Sequence, residues 1–345
     1  MPPHLIALAT DVPPHRLDQQ TVVERAAELL RANSSIERML PVFANAGISR
    51  RFSCVPLEWF GEGHKWRARN ALYLEHSLAL LAQTTQALLE QAKLPRDAID
   101  IIVTVSTTGI ATPSLDALLI DKLELKRSIL RLPIFGLGCA GGVLGLSRAA
   151  DLARAHPGKT ILLLVVELCT LQFRKDDSSK SNTVAAALFA DGAAGALVST
   201  EGDGPVIGPG GEFTWPNTLD VMGWDVEDDG LRARFSASIP ALVRTHYREA
   251  VDAFLSRHAL SRDDIDRYAC HPGGAKVLDA LEEALNLTDG GLIESRETLR
   301  DYGNMSAVTV LFVLSRMDWR NPSKRTLLGA LGPGFTGAFQ LLGES

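Results

Sequence analysis

The chain has 345 residues, of which 46% are hydrophobic and 22% charged, and its formal net charge is -6. This length exceeds what one hydrophobic core usually covers, so we expect two core-forming halves. The composition is typical of a globular protein, and the negative charge disfavours nucleic acid or an anionic membrane as a partner. A local basic patch for a phosphorylated substrate remains compatible with this charge.

The cysteines and apolar runs argue against further classes of protein, namely zinc-binding, disulfide-rich, secreted and membrane-spanning proteins. The four cysteines, Cys54, Cys139, Cys169 and Cys270, lie far apart and form no Cys-x-x-Cys pair, so neither a zinc site nor a disulfide framework is expected. The N-terminus lacks the basic and apolar regions of a secretory signal. The apolar run at 161–166 is too short to span a bilayer. We therefore predict a cytoplasmic protein without stable membrane insertion.

Strand and helix patterns alternate through the first part of the chain. The sequence HLIALATDV predicts a strand, and helical spacing covers 20–46 and 74–93. The run IDIIVTVSTTG at 99–109 is typical of a strand buried on both faces. The next predicted elements are a proline-started helix at 113–123, a strand at RLPIFGLG, a helix from Cys139 to about His156, and strands at TILLLVVELC and ALFADGAAGALVST.

A Gly/Pro-rich segment, GDGPVIGPGGEF at 202–213, separates two predicted domains at 1–205 and 206–345. The elements predicted after it are a helix at 239–257, a strand at DRYAC, helices after HPGGAK and YGNMS, and a closing strand pair around TLLGALGPGFTGAFQLL. This alternation predicts an α/β protein of two similar halves with mixed sheets and buried central helices.

Three segments share one design: a short apolar run, a glycine-rich bend, one reactive side chain and then a helix. They are FGLGCAGG around Cys139, ACHPGGAK around His271 and YGNMSAV around Asn304. Glycines permit tight turns and close approach to a substrate, and the start of a helix offers free N–H groups and the positive end of the dipole. A thiol there should ionise more easily, and a neighbouring imidazolium would favour the thiolate further. These features predict acyl-transfer chemistry.

Each segment also has a purely structural interpretation. A lone cysteine in an apolar stretch is usually a small core residue, which is our interpretation of Cys54. A histidine before Pro-Gly-Gly can cap a helix, and an asparagine after glycine commonly fills a turn. Because all three segments occur in one chain, we prefer the catalytic interpretation for the set.

Five motifs then follow one another along the chain: GLGCAGG, ALFADGAA, CHPGGAKVLDAL, YGNMSA and GALGPGFTGAFQLL. In this order and spacing they resemble the type III polyketide synthases, the chalcone-synthase-like branch of the thiolase fold. The resemblance implies a five-layered αβαβα subunit that works as a homodimer on acyl-CoA and malonyl-CoA, without carrier protein, metal or other cofactor. Cys139 matches the acyl-accepting nucleophile, and His271 and Asn304 match the pair that activates the malonyl thioester by decarboxylation.

The resemblance also places residues between the CoA tunnel and the inner cavity. Phe189 matches the family's gatekeeper phenylalanine, with an ordinary core aromatic as the alternative. A second gatekeeper phenylalanine is not matched, because Ala233 or Arg234 falls at its position, with Phe235 close by. Gating by two phenylalanines is therefore an open question at this point.

The phosphates of CoA require cations at the mouth of the tunnel. Arg38, Arg50 and Arg51 are the candidates, because the family places basic residues in this stretch. The match is partial, since Pro41 and Asn45 fall at two of the three basic positions. A solvated helix face is the alternative for Arg38.

Further segments resemble the bacterial branch that makes alkylresorcinols and alkylpyrones from long fatty acyl starters: NAGISRRFSCVPLEWF, STTGIATPSLDALL, VELCTLQFR and MGWDVEDDGLR. Within this resemblance, Thr107, Cys169, Gln172 and Trp224 fall at cavity-lining positions. Small residues would leave room for an alkyl chain, whereas Trp224 would redirect it. A structural thiol is the alternative for Cys169.

Two loop residues complete the predicted site. Gly334, in the GALGPGF loop at 329–335, should help to shape the far wall of the cavity. Thr112 falls where the family's loop reaches across the dimer into the partner's cavity. A plain N-cap before the helix started by Pro113 is the alternative for Thr112.

Other functions stay open at this point. An initiating β-ketoacyl-ACP synthase also uses Cys, His and Asn, but it carries a His-Gln-Ala-Asn run where this chain has HPGG. A thiolase-like protein that only binds acyl-CoA would need no nucleophile, and a thioesterase would have to admit water. The starter, the number of extensions and the choice between aldol and lactone closure depend on cavity volumes that the motifs do not determine.

Overall fold

The computed structural model describes residues 1–29, 36–177, 179–288 and 290–343, without the side chains of 36–39. Within these residues the strands are β1 (His4–Asp11), β2 (His15–Asp18), β3 (Arg50–Ser53), β4 (Ile99–Val105), β5 (Leu130–Ile134), β6 (Thr160–Leu168), β7 (Asp191–Ser199), β8 (Ile207–Thr214), β9 (Met222–Glu227), β10 (Gly230–Phe235), β11 (Arg267–Cys270), β12 (Thr326–Gly332) and β13 (Thr336–Leu342). The α-helices there are α1 (Gln19–Leu29), α2 (Ile36–Ala44), α3 (Trp66–Ala92), α4 (Leu115–Lys122), α5 (Gly141–Ala155), α6 (Lys180–Leu188), α7 (Ile239–Ser256), α8 (Ala275–Leu285), α9 (Ile293–Tyr302) and α10 (Thr309–Arg316).

Two mixed sheets form the framework of the fold. The first has the strand order β1-β7-β6-β4-β5, and the second has the order β11-β12-β13-β8. In the first sheet β4 is parallel to β5 and β6, while β7 is antiparallel to β1 and β6. In the second, β11 and β12 are parallel and the other pairs are antiparallel. The predicted mixed sheets are therefore present.

The helices complete five layers. Helices α5 and α10 contact strands of both sheets and so lie between them. Helix α3 covers the outer face of the first sheet. Helix α7 covers the outer face of the second sheet, and α8 packs against α7. The continuous apolar run of β6 suits this arrangement, because eight of its nine residues are buried. The αβαβα order predicted from the family resemblance is the observed one. No helix within the described residues is long and apolar enough to cross a membrane.

Some predicted boundaries differ from the structure. The helical pattern at 20–46 contains two helices, α1 and α2, and α3 begins at Trp66 rather than at residue 74. The segment 202–213 is not simply a linker, because β8 occupies most of it at the edge of the second sheet. Pro209 is tolerated there since an edge strand does not need every N–H for pairing. The division of the chain at residue 205 stays a prediction.

Candidate active site

The three predicted reactive side chains line one cavity, which we call the front cavity, with a volume of about 440 Å³. Cys139 lies in a 3-10 turn directly before α5, and His271 follows β11. Asn304 lies shortly before the turn that leads into α10. All three are buried. Strand ends and helix starts therefore bring together residues that are far apart in the sequence.

The backbone around Cys139 is held by contacts that require glycine. Gly138 has a φ of 47°, and a Cβ there would lie 2.6 Å from Pro333. Its N–H donates to the Thr107 hydroxyl at 3.2 Å. In the first turn of α5, a Cβ on Gly142 would lie 2.1 Å from the carbonyl oxygen of Ala307. These contacts fix the position of the thiol relative to the turn before α10.

Asn304 is oriented through both ends of its amide group. Its Oδ1 accepts from the Ser306 N–H at 2.9 Å, and its Nδ2 donates to the Gly273 carbonyl at 3.3 Å. Ser306 also reaches the nucleophile, because the Cys139 thiol donates to its hydroxyl at 3.5 Å. Sequence reasoning missed Ser306 as a functional residue, although the YGNMS motif contains it.

Burial controls the ionisation of the site. It raises the pKa of the Cys139 thiol to about 12, partly opposed by the hydrogen bond to Ser306, and Glu167 adds a smaller rise. It also lowers the pKa of His271 to about 3. Loss of hydration therefore opposes the easier ionisation of the thiol that the helix start predicts. Within the described residues both ring nitrogens of His271 are buried without a hydrogen-bond partner, so the imidazole is free to exchange a proton with a bound substrate.

Glu167 is a second functional candidate that the motifs did not single out. It is buried at the end of β6, where it accepts from the Thr107 N–H at 3.0 Å and from the Thr108 hydroxyl at 2.8 Å. Burial raises its pKa to about 8. The carboxyl group therefore helps to hold the strand end beside the Cys139 turn.

A narrower rear cavity of about 60 Å³ lies behind Phe189. Its lining includes Cys169, Gln172 and Trp224, whose role at a substrate cavity stays a prediction. The Phe189 ring contacts Trp224, with centroids 5.7 Å apart, and meets the ring of Phe235 at 5.6 Å. Because Phe235 lines the front cavity, Phe189 stands between the two spaces. A pair of phenylalanines is therefore present at this boundary, although Ala233 or Arg234 falls at the family's second position.

Three predicted residues lie elsewhere. Thr107 lines neither cavity, since its hydroxyl supports the Gly138 turn. Gly334 likewise lines neither, while its neighbours at 329–331 do contact the front cavity. Thr112 is exposed, and its interpretation as a helix N-cap is wrong because Ser114 holds that position.

The predicted phosphate-binding arginines are placed differently from one another. Arg50 is partly exposed and pairs with Asp301 at 3.4 Å. Arg51 is only 2% exposed, so the interpretation of Arg51 as a phosphate ligand is wrong. The side chain of Arg38 lies outside the described residues. Pro41 and Asn45, at the other two positions, line the front cavity.

The buried guanidinium of Arg51 supports the end of α6 instead. It donates to the carbonyls of Ala186 and Phe189 at 2.8 Å, and also to the Ala187 carbonyl and the Gln19 amide oxygen. Burial lowers its pKa to about 9. Arg51 therefore holds the backbone of Phe189 between the two cavities.

Comparison with known proteins identifies the family. The chain matches the family described as chalcone and stilbene synthases, with the N-terminal domain over residues 2–202 and the C-terminal domain over 212–338. The chain belongs to the chalcone and stilbene synthase family. These are the type III polyketide synthases, so the predicted family and enzyme class are confirmed.

Individual relatives agree with this assignment. This type III polyketide synthase is 38% identical over 347 residues to 1,3,6,8-tetrahydroxynaphthalene synthase from Streptomyces peucetius subsp. caesius, covering 97% of this chain and 92% of the relative. It is 35% identical over 350 residues to a putative chalcone synthase from Bacillus subtilis (strain 168), covering 96% of each. The crystal structure of 1,3,6,8-tetrahydroxynaphthalene synthase from Streptomyces coelicolor A3(2) matches with a TM-score of 0.94 and 28% identity, over 99% of this chain and 100% of that one. The predicted thiolase-like fold is confirmed.

The neighbouring arginines of β3 provide a matched test of this architecture. Arg51→Met is expected to lower the free energy of unfolding by about 3 kcal/mol, because several buried carbonyls lose their donor. Arg50→Met removes only a partly exposed ion pair and should change the free energy of unfolding by less than about 1 kcal/mol. Urea unfolding of both variants measures the difference. Equally small effects would contradict the buried role of Arg51.

Proposed function

We propose that the protein joins an acyl-CoA starter to malonyl-CoA units by decarboxylative Claisen condensation, with Cys139 as nucleophile and His271 and Asn304 as its partners. The observation that carries this proposal is the convergence of the three buried side chains on the front cavity, with the His271 ring nitrogens unpartnered among the described residues. The reaction as proposed uses no metal or other cofactor.

The first step loads the starter onto Cys139. The sulfur attacks the thioester carbonyl while its proton passes to the neutral His271 imidazole, and the CoA thiolate leaves and takes up that proton. The products are acyl-Cys139 and free CoA. Since burial disfavours both the thiolate and the imidazolium, their opposite charges form together and partly offset each other's desolvation.

The second step extends the chain. Malonyl-CoA loses carbon dioxide, and the resulting enolate oxygen needs hydrogen-bond donors, which the Asn304 amide and the His271 ring N–H supply. Each such donor is worth about 3 kcal/mol in well-studied oxyanion holes. The enolate carbon attacks the acyl-Cys139 carbonyl and forms the new carbon–carbon bond as the Cys139 thiolate leaves. Apolar walls such as Met222 and Phe235 disfavour the malonyl carboxylate and so favour its loss.

We further propose that the starter is a long fatty acyl chain and that the product is an alkylresorcinol or an alkylpyrone. The lining of the rear cavity supports this, because apolar side chains continue its walls from Phe189 towards α1, although its space of about 60 Å³ must widen to hold a long chain. They are Leu17, Val22, Ala26, Leu29, Leu57, Phe60 and Phe173. An alkyl chain passing Phe189 would meet mainly apolar surface, which favours its burial.

A second candidate is condensation of malonyl units alone. It is favoured by the 38% identity to a relative named 1,3,6,8-tetrahydroxynaphthalene synthase. In this case Phe189 and Phe235 would form a closed wall, and no alkyl chain would occupy the rear cavity. The two candidates share the same nucleophile and differ in the starter.

Purified protein supplied with malonyl-CoA and starters from acetyl-CoA to stearoyl-CoA distinguishes them by mass spectrometry. We expect products that retain a long alkyl tail.

In the same assay Cys139→Ala should abolish these products, while malonyl-CoA decarboxylation continues at His271 and Asn304. Asn304→Ala should lower the rate of condensation about 100-fold. Products without a starter would favour the second candidate, and product formation by Cys139→Ala would refute the nucleophile.

Substitutions in the rear cavity should change the starter range in the same assay. Cys169→Phe fills the buried space beside Phe189 and is expected to shift the preference to shorter starters, whereas Trp224→Ala removes part of the wall and should shift it to longer ones. Val226→Ala, on the same strand but 86% exposed, is the control. An unchanged preference in both rear-cavity variants would exclude this cavity as the starter site.

We also propose that the enzyme is a homodimer formed through β5. This strand is the last in the first sheet, and an unpaired edge is a ready site for association. The strand and the loop regions beside it expose large apolar side chains, namely Ile110, Leu130, Leu132 and Phe135. A 3.4 Å hydrogen bond from Arg131 to Ser114 joins β5 to the loop that carries Thr112, so this surface would bring Thr112 to the partner.

The double variant Leu132→Glu/Phe135→Glu is expected to be monomeric, because it places charges on the apolar surface of β5. Leu219→Glu changes an exposed leucine outside this surface and should leave the dimer intact. Light scattering after gel filtration gives the masses. A dimer that survives the double substitution would place the interface elsewhere.

A further inference from the structure

The rear cavity contains two cations within an otherwise mainly apolar lining. Arg25 and Arg51 both line its space of about 60 Å³, and there is no aspartate or glutamate among the described residues that line it. The chain as a whole carries a net charge of -6, so this local positive charge runs against the composition. A cavity with apolar walls and charges of one sign attracts a ligand of the opposite sign.

The guanidinium group of Arg51 has one donor that the protein does not use. Of the five N–H donors of an arginine side chain, the four on the two Nη atoms of Arg51 meet three backbone carbonyls and the amide oxygen of Gln19. The fifth donor is on Nε, which is buried without a hydrogen-bond partner among the described residues. Because an unpaired buried donor is costly, this N–H group would gain from a bound acceptor.

Arg25 presents a second donor of the same kind on the α1 side of the cavity. Its Nη1 donates to Glu28 at 3.0 Å, whereas its Nε is buried and unpaired within the described part of the chain. Its Nη2 packs against Gly61, where a Cβ would overlap it, so the guanidinium group is held against the backbone of that turn. The side chain is 30% exposed, and Arg25 therefore lies nearer the surface than Arg51.

The amide and hydroxyl groups of the lining are already engaged. Gln172 donates to the Thr108 carbonyl at 2.8 Å and accepts from the Leu231 N–H at 3.3 Å. The Thr170 hydroxyl donates to a buried carboxylate, and the Asn182 amide bonds to backbone groups through both of its ends. The two arginine Nε–H groups are thus the strong donors that a ligand in this cavity would find free.

The charge of Arg51 is also incompletely compensated. Burial lowers its pKa to about 9, and Asp191 opposes this lowering only in part. Arg51 forms no salt bridge within the described part of the chain. An anion bound beside it would favour the charged form of the guanidinium group and offset some of its lost hydration.

We propose that the starter carries a carboxylate at the end remote from its thioester, and that Arg25 and Arg51 bind this carboxylate in the rear cavity. This inference rests on the proposed function and deepens it, since there the rear cavity takes the far end of the starter. The apolar walls cover the methylene groups, and the two Nε–H groups donate to the carboxylate oxygens in charge-assisted hydrogen bonds. A starter that ends in a methyl group would leave both donors unpaired.

CoA thioethers test the proposal without turnover, because a thioether cannot acylate Cys139. Calorimetric titration compares S-alkyl-CoA with S-(ω-carboxyalkyl)-CoA of equal chain length, from hexyl to dodecyl. In the wild type the carboxylate-ended form is expected to bind about tenfold more tightly at the chain length that reaches the two arginines. Arg25→Met should lower this ratio by at least about threefold, while the Kd of the methyl-ended form stays within about twofold.

Arg16→Met is the matched control, because Arg16 is an exposed arginine that pairs with Asp18 at 2.9 Å and does not line the rear cavity. This variant should keep the wild-type ratio. Arg25 is substituted rather than Arg51, whose replacement is expected to destabilise the fold.

Two results would overturn the inference. One is that the carboxylate-ended thioether binds no more tightly than the methyl-ended one at any chain length. The other is that Arg25→Met keeps the full wild-type ratio. Absence of any extension product from the wild type, with plain and with carboxylated starters, would defeat the proposed function instead, and the thioether titration would still decide the site in the rear cavity.

Discussion

The site depends on how closely α5 approaches the turn before α10. Gly142 leaves no room for a Cβ against the Ala307 carbonyl, and Gly332 at the end of β12 leaves none against Ala140. With no side chains between these backbones, Ser306 reaches the Cys139 sulfur at 3.5 Å. The nucleophile from one half and the turn after Asn304 from the other therefore belong to one packed unit. Any side chain at these glycines would separate the groups that react.

The boundary between the two cavities is tied to the same unit. The Asn304 N–H donates to the Leu188 carbonyl, and the Asn304 carbonyl accepts from the Ala190 N–H, at 2.8 and 2.9 Å. Phe189 lies between these bonds, and its own carbonyl accepts from Arg51. The backbone that carries Phe189 is thus held from both sides. The proposed starter selection at Phe189 and the proposed enolate stabilisation at Asn304 would therefore depend on one backbone segment.

The sequence predicted the structure best where the pattern of apolar residues directly reflects which residues are buried. The apolar run of β6 is buried along nearly its whole length, and the bends around Cys139, His271 and Asn304 converge as predicted. It failed for α9, whose sequence IESRETLRDY has too few apolar residues to show a buried face. It also failed to separate Arg50 from Arg51, since alternation along β3 puts one outside and one inside. Which arginine faces inward depends on how β3 packs in the fold, and the local sequence SRRF does not determine this packing.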